Sequence, residues 1–255
     1  MGLVKSLHQF KFLRQVAKKL ARNLTIKQAF YQGIICLNAV EHSWAWTGKN
    51  RYETFDQELQ NKIYNASFTH DLLVDIGANI GAITVGTLLH NPSIKAIAVD
   101  PNKMANRLLK KTLKLNKLES RCQIINSVIG KENGLINFDE TGSVTGHVSA
   151  TGNAIKQIKL ADLLNQNHQQ KTLVKIDVEG YETILAEDFK AVENLKDYTF
   201  FIEVHEMNFN KVGNPAQVFN TLKKLNAVIT NLKGDTITQI SPQLITQIIV
   251  TFAAC

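Results

Sequence analysis

The chain has 255 residues, 44% of them hydrophobic and 20% charged, enough to bury one sizeable core or a domain with an extension. Its three cysteines, Cys36, Cys122 and Cys255, make neither a CxxC pair nor an even framework, and no run of 18 apolar residues occurs; these features exclude a disulfide scaffold and a spanning helix and point to a reduced, cytoplasmic setting. The formal net charge is +7, and residues 1–40 hold seven basic residues (Lys5, Lys11, Arg14, Lys18, Lys19, Arg22, Lys27) and no acid, so the whole excess belongs to an N-terminal arm.

In that arm Leu3, Leu7, Phe10, Leu13, Ala17, Leu20 and Leu24 recur every three or four positions, with most of the basic residues opposite, which predicts a basic amphipathic helix. Such a helix can cap the domain, lie on an anionic membrane surface, or grip a phosphate backbone. The opening MGLVKS also fits a myristoylation pattern, and an arginine-bearing arm without acids resembles an organellar transit peptide. Residues 31–63 are expected to add one or two helices, with Trp44 and Trp46 near a turn at Gly48. The one boundary falls near residue 70, dividing a helical arm and cap (1–70) from a ligand-binding domain (71–255).

Residues 71–100 read as strand, glycine turn, helix, strand. Leu72, Leu73, Val74 and Ile76 form an apolar run interrupted by Asp75, as in a parallel strand buried on both faces. Gly77 and Gly81 flank Ala78-Asn79-Ile80, a helix runs on to Asn91-Pro92, and the second strand ends in Asp100. A glycine turn feeding a helix, followed by an acid after the next strand, suggests a nucleotide-like ligand. A dinucleotide fingerprint would need glycine where Asn79 and Ala82 stand, which disfavours NAD.

Pro101 starts a helix ending near Asn116, and residues 122–129 follow as a third strand. Residues 134–138 and 155–159 are short strands around the polar loop 139–153, which suits a surface excursion or a substrate lid. Residues 173–177 and 198–204 are the fourth and fifth strands, with a helix starting at 180–186 between them. A helix at 215–226 and strands at 227–232 and 247–252 complete an α/β, doubly wound, mostly parallel sheet. At the ends of the fourth and fifth strands, Asp177, Glu179, Glu203 and His205 fall on shared faces and can converge on one crevice.

The pattern D-x-G-x-x-x-G followed by an acid resembles the S-adenosylmethionine turn of class I methyltransferases. VDIGANIG (74–81), VDP (99–101), KIDVEGYE (175–182) and FIEVH (201–205), in this order, resemble the FkbM family of S-adenosylmethionine-dependent methyltransferases over residues 71–253. The resemblance implies a Rossmann-like class I fold and methylation of a hydroxyl on a sugar, glycolipid or natural product. It implies that Asp75, Gly77, Asn79 and Gly81 hold the methionine portion, Asp100 the ribose, and the Asn126-Ser127 region the adenine. Asp100 departs from the glutamate more frequent in the family and has a shorter reach. His205 is the candidate base, oriented by Glu203 or Asp177, because histidine titrates near neutrality. The rival is that Asp177, Glu203 and His205 hold a divalent metal; no metal ligand is assigned. Methylation of nucleic acid is disfavoured because no [ND]-P-P-[FYW] follows the fourth strand. A non-catalytic nucleotide-binding module brought to membranes by the arm remains the other alternative.

Overall fold

The computed structural model describes residues 21, 23–47, 51–54, 56–139, 147–148, 152–167, 169–206, 214–241 and 243–253. Most of the amphipathic helix expected over residues 3–24, the turn at Gly48 and most of the polar loop 139–153 lie outside the described residues. No described helix is long and apolar enough to cross a membrane.

The first strands among the described residues form a hairpin: β1 (Thr25–Phe30) pairs antiparallel with β2 (Gly33–Asn38). The helical reading of residues 1–70 is therefore corrected over 25–38. Ile34, Ile35, Cys36 and Leu37 are consecutive apolar residues, which a strand buries between two layers and an amphipathic helix cannot. Tyr31 at φ 49° makes the sharp turn that the helical reading missed. After the hairpin come a 3₁₀ segment Ser43–Thr47, a short turn Arg51–Thr54 and α1 (Gln57–Ala66). Trp44 packs edge-on to Tyr52, ring centres 5.5 Å apart.

The main sheet is built from β3 (Leu72–Ile76), β4 (Lys95–Val99), β5 (Cys122–Ile125), β10 (Thr172–Ile176), β11 (Tyr198–Val204), β12 (Ala227–Thr230) and β13 (Thr246–Phe252). Their order is β12-β13-β11-β10-β3-β4-β5, parallel from β11 through β5 and closed by antiparallel β13 and β12. This is the Rossmann-like class I arrangement that the alternation of strands and helices predicts. Helices α2 (Ala82–His90) and α3 (Lys103–Leu115) connect β3 to β4 and β4 to β5. The segment expected as one third strand divides: Asn126 donates from its Nδ2 to the carbonyls of Asp100 (3.1 Å) and Pro101 (2.8 Å), and the chain leaves the main sheet there. Its continuation, β6 (Val128–Gly130), joins β7 (Gly134–Asp139), β8 (His147–Val148) and β9 (Asn153–Lys159) in a second sheet. The helices α4 (Leu160–Asn165), α5 (Glu182–Leu185) and α6 (Pro215–Lys224) complete the set.

The sheet separates two apolar layers. Leu72, Val74, Ile76, Val174, Ile176, Phe200 and Ile202 face α4 to α6, with Leu164, Phe189, Val218 and Leu222. The alternate residues Leu73, Ala96, Leu173 and Phe201 face the other layer, which contains Val85, Leu88 and Leu109 from α2 and α3. Phe30, Ile35 and Leu37 of the hairpin and Ile63 and Tyr64 of α1 belong to this second layer. The hairpin is also bonded to α3: the Cys36 N–H donates to Thr112 Oγ1 (2.9 Å), and Asn116 exchanges two hydrogen bonds with the backbone of Ile34. Leu37→Ala, which empties a fully buried position, is expected to destabilise the domain by about 2–5 kcal/mol in denaturant unfolding. A change below about 0.5 kcal/mol, typical of surface sites, would show that the hairpin is an appendage.

Candidate functional site

The sheet grows outward in two directions from the junction of β3 and β10, and in open α/β sheets ligands bind outside the carboxyl ends of strands at such a switch. Gly77 leaves β3 at φ 76°, its N–H donating to the carbonyl of Val99 (2.9 Å). A Cβ on Gly77 would stand 1.8 Å from the carbonyl oxygen of Asp177. The glycine is thus required by the close approach of two strand ends as well as by its positive φ, and a larger residue would push those ends apart rather than merely fill a ligand site. Asn79 (φ 51°) and Gly81 (φ 86°) are also left-handed, and Gly81 leads into α2. Asn79 supports its own conformation, its Oδ1 accepting from the N–H of Ile80 (2.7 Å).

Asp100 closes this turn. Its Oδ2 accepts from the N–H of Asn79 and its Oδ1 from the N–H of Asn102, both at 2.7 Å. The helix α3 is capped by Asn102, which accepts from Met104 and Ala105, so Asp100 is free of a capping duty. Burial raises the Asp100 carboxyl from 3.8 to about 6, against the pull of the Asn102 and Asn79 N–H groups. Ser127 is buried just beyond Asn126. Asp75 lies deeper than expected for a ligand contact: it is fully buried and accepts from Thr84 Oγ1 (2.6 Å).

Beside Asp75 in register lies Lys175, a residue to which the sequence assigns no role. Its Nζ donates to the Gly77 carbonyl (3.0 Å) and lies 3.3 Å from Asp177 Oδ2 and 3.6 Å from Asp75 Oδ1. Burial alone would lower the ammonium pKa, but Asp177 and Asp75 more than offset it and hold the group above its ordinary value. A lysine inside the apolar run Leu173-Val174-Lys175-Ile176 was the available signal, since a buried cation demands acidic partners.

On the other side of Asp177 the expected convergence is present. Nε2 of His205 lies 3.9 Å from Asp177 Oδ1, 3.7 Å from Glu179 Oε2 and 3.7 Å from Glu203 Oε1. Nδ1 is held by Glu182 at 3.1 Å, and the same Glu182 oxygen accepts from the N–H groups of Val178 (3.0 Å) and Gly180 (3.3 Å). Glu182, not Glu203 or Asp177, is therefore the residue that orients the imidazole. Glu203 accepts from Gln247 Nε2 (2.7 Å), its cross-strand neighbour. Burial first, and Asp177 second, push the Glu179 and Glu203 carboxyls up. Burial pulls the His205 imidazole down, but the Glu182 hydrogen bond and the charges of Glu182, Asp177 and Glu179 outweigh it and hold the ring at about 9. A ring protonated at neutral pH is a hydrogen-bond donor, which removes the reason for making it the base. Asp177, Glu203 and His205 each offer one ligand atom, all within 4.8 Å of one another. A shallow cavity lined by Phe68, His70, Asp71, Asn91 and Lys171 lies at the opposite, amino-terminal ends of the strands, away from this chemistry.

No family model matches the sequence, and no curated protein matches it. Among solved structures it is similar to the tRNA methyltransferase TrmK of B. subtilis, with 9% identity, TM-score 0.45, and 77% of this chain and 65% of that chain covered. It is also similar to a tRNA methyltransferase of M. jannaschii (15%, TM-score 0.45, 89% and 54%) and to an O-methyltransferase family protein from Burkholderia thailandensis (11%, TM-score 0.43, 76% and 55%). The chain spans between about half and two thirds of the length of these proteins, and the likeness is one of fold.

Because Lys175 is the cationic partner of the fully buried Asp75 as well as of the partly exposed Asp177, Lys175→Met should destabilise the domain by about 3–5 kcal/mol, the usual cost of leaving a buried charge without its partner. Thermal or denaturant unfolding measures this. A neutral result would mean that water replaces the ammonium and that the two acids do not depend on it.

Proposed function

We propose that the chain is an S-adenosylmethionine-dependent O-methyltransferase related to the FkbM family, acting on a hydroxyl of a sugar, glycolipid or natural product. The observation that carries this is the placement of two unlike half-sites on either side of one strand switch. The turn Gly77–Gly81 with Asp100 faces one side, and the cluster Asp177, Glu179, Glu203 and His205 faces the other, with Lys175 between them.

The residues present fit the cofactor. Asp100 presents a buried carboxylate at the turn, and each of its oxygens accepts one backbone N–H and retains a second lone pair for a ribose hydroxyl. The left-handed residues Gly77, Asn79 and Gly81 bring backbone close to a ligand at the start of α2, where N–H groups receive anionic atoms. Ser127 lies beyond Asp100 on the side proposed for the adenine. Bound S-adenosylmethionine supplies an electrophilic methyl group on a sulfonium that departs as a neutral thioether. The chain's own residues then have two tasks, orienting the acceptor and taking its proton. Glu179 has the most exposed side chain of the cluster (39%) and is the carboxylate an acceptor hydroxyl meets first, so it receives the proton. His205, fixed by Glu182, balances the surrounding acids. Positioned groups of this kind contribute about 10²- to 10⁴-fold by proton transfer, and alignment contributes more.

Calorimetry tests the cofactor half. S-adenosylmethionine should bind the full chain, and affinity should fall as pH drops through about 6, because protonated Asp100 loses an acceptor. Asp100→Ala should cost roughly 1.5–3 kcal/mol of binding. Stability of the unliganded domain should move the opposite way. A carboxyl raised from 3.8 to about 6 on folding favours the fold at acid pH and loses that contribution as pH rises across this interval. Binding that is indifferent to both pH and substitution would remove Asp100 from the site. In turnover with a methyl acceptor, Glu179→Gln should slow the reaction about 10²- to 10⁴-fold while leaving cofactor affinity intact; a fully active variant would exclude Glu179 as the proton acceptor.

The basic arm gives the proposal a location. Residues 1–24 hold six of the seven basic residues of the first forty, opposite an apolar stripe, the pattern of a helix on an anionic surface. We propose reversible, peripheral membrane association through this arm. The hairpin is built into the core, so the removable portion ends before Thr25 and not near residue 41. The full chain should co-sediment with anionic vesicles, more weakly as added salt shortens the Debye length from about 10 Å to about 3 Å, and a chain starting at residue 24 should not. Equal sedimentation of both chains would place the membrane contact elsewhere.

A further inference from the structure

We infer that Asp177, Glu203 and His205 are the protein ligands of a divalent-cation site. The inference deepens the methyl-transfer reading and rests on it for the ion's role, but not for the site itself. The three donor atoms come from the carboxyl ends of adjacent parallel strands, β10 and β11, so their relative position is fixed by the sheet. All lie within 4.8 Å of one another, and His205 Nε2 is 3.9 Å from Asp177 Oδ1 and 3.7 Å from Glu203 Oε1. Donors bound about 2.0–2.2 Å from one ion stand roughly 3–4 Å apart, so small side-chain adjustments suffice.

Two further observations point to an ion rather than to a chance gathering of acids. Glu182 is buried and is anchored by the N–H groups of Val178 and Gly180 while it binds His205 Nδ1. A carboxylate accepts only, so Nδ1 carries the proton there and Nε2 is turned toward Asp177 and Glu203, the carboxylate–histidine arrangement by which proteins aim a metal ligand. Asp177 is divided in the same sense: Oδ2 faces Lys175, whereas Oδ1 is buried, makes no hydrogen bond and faces Nε2. A buried oxygen without a donor is costly, and a cation removes that cost. Four carboxylates, Asp177, Glu179, Glu182 and Glu203, surround one imidazole and one ammonium, so the cluster has room for added positive charge.

A donor set of one imidazole and two carboxylates, with no thiolate, suits Mn²⁺ or Zn²⁺. Three protein ligands leave coordination positions for an acceptor oxygen. There the ion acidifies the hydroxyl, whose proton passes to Glu179; the oxygen's electron pair then forms the bond to the methyl carbon as the carbon–sulfur pair leaves on sulfur.

The test is titration of the full chain with Mn²⁺ and, separately, Zn²⁺, followed by calorimetry and, for Mn²⁺, by loss of the free-ion electron paramagnetic resonance signal. S-adenosylmethionine is titrated in parallel with chelator present. Saturable binding of about one equivalent is expected, weakened roughly tenfold or more in both Asp177→Asn and Glu203→Gln, with circular dichroism unchanged. These variants keep side-chain volume, and binding lost in either one while the fold persists supports the site. Absence of saturable binding by both ions, or equal affinity in wild type and both variants, overturns it. Cofactor binding without ion binding would sink the metal site and spare the proposed function; ion binding without cofactor binding would do the reverse.

Discussion

The buried ammonium of Lys175 is the interaction on which the rest of the site depends. It lies on a central strand, reaches Asp75 on the neighbouring strand and Asp177 at its own strand's end, and donates to the carbonyl of Gly77 in the turn between them. Its charge lets two acids stand at a place where the sheet changes direction and where an unpaired carboxylate would be expelled or protonated. The same contact ties the two halves of the site together. Movement of the Gly77 turn is felt at Asp177, since the carbonyl of Asp177 already occupies the space beside Gly77. The proposed methyl transfer, in which positioning is a protein's main contribution, would be served by a rigid link between the Gly77 turn and the Asp177 cluster.

The layers around the sheet explain why this polar seam is tolerated. Asp75, Lys175 and Glu203 share a face with Leu73, Leu173 and Phe201, and that face is covered by α2, α3, α1 and the hairpin. Water is therefore excluded from Lys175 and Asp75 but reaches the outer members, Asp177 and Glu179, whose side chains are 29% and 39% exposed. A gradient from dry to wet runs along one strand end. The dry end fixes geometry, and the wet end is open to solvent.

His205 shows how a network can reverse the role that a residue type suggests. Isolated histidine is a natural base near neutrality, but with Glu182 on one nitrogen and three further acids near the other it is held as a cation. A proton at Nε2, or the cation inferred above, answers the same electrostatic demand. Glu182 is central here because one oxygen organises the loop after β10 and the imidazole after β11 together.

Much was determined by the sequence alone. Alternating apolar runs and helical periods located the main-sheet strands, because hydrophobic periodicity is a local property: β11 falls on residues 198–204 as expected. The turn Gly77–Gly81 and the acid at Asp100 were legible because a left-handed backbone and a strand-end carboxylate each need particular residue types at fixed spacing. The cluster of Asp177, Glu179, Glu203 and His205 could be grouped by strand parity, although its two pairs are more than twenty residues apart. Tertiary structure alone decided the rest. The hairpin at 25–38 is a strand pair because α3 supplies Thr112 and Asn116 to its edge and the second apolar layer takes its side chains, neither of which is visible in a window of neighbouring residues. The role of Lys175 depends on register between strands a hundred residues apart, and the charge of His205 on carboxylates brought in from the loop after β10, from α5 and from β11. Local pattern specifies what each segment can be. Long-range packing and the low dielectric of the interior specify which charges meet, and so what the segments can do.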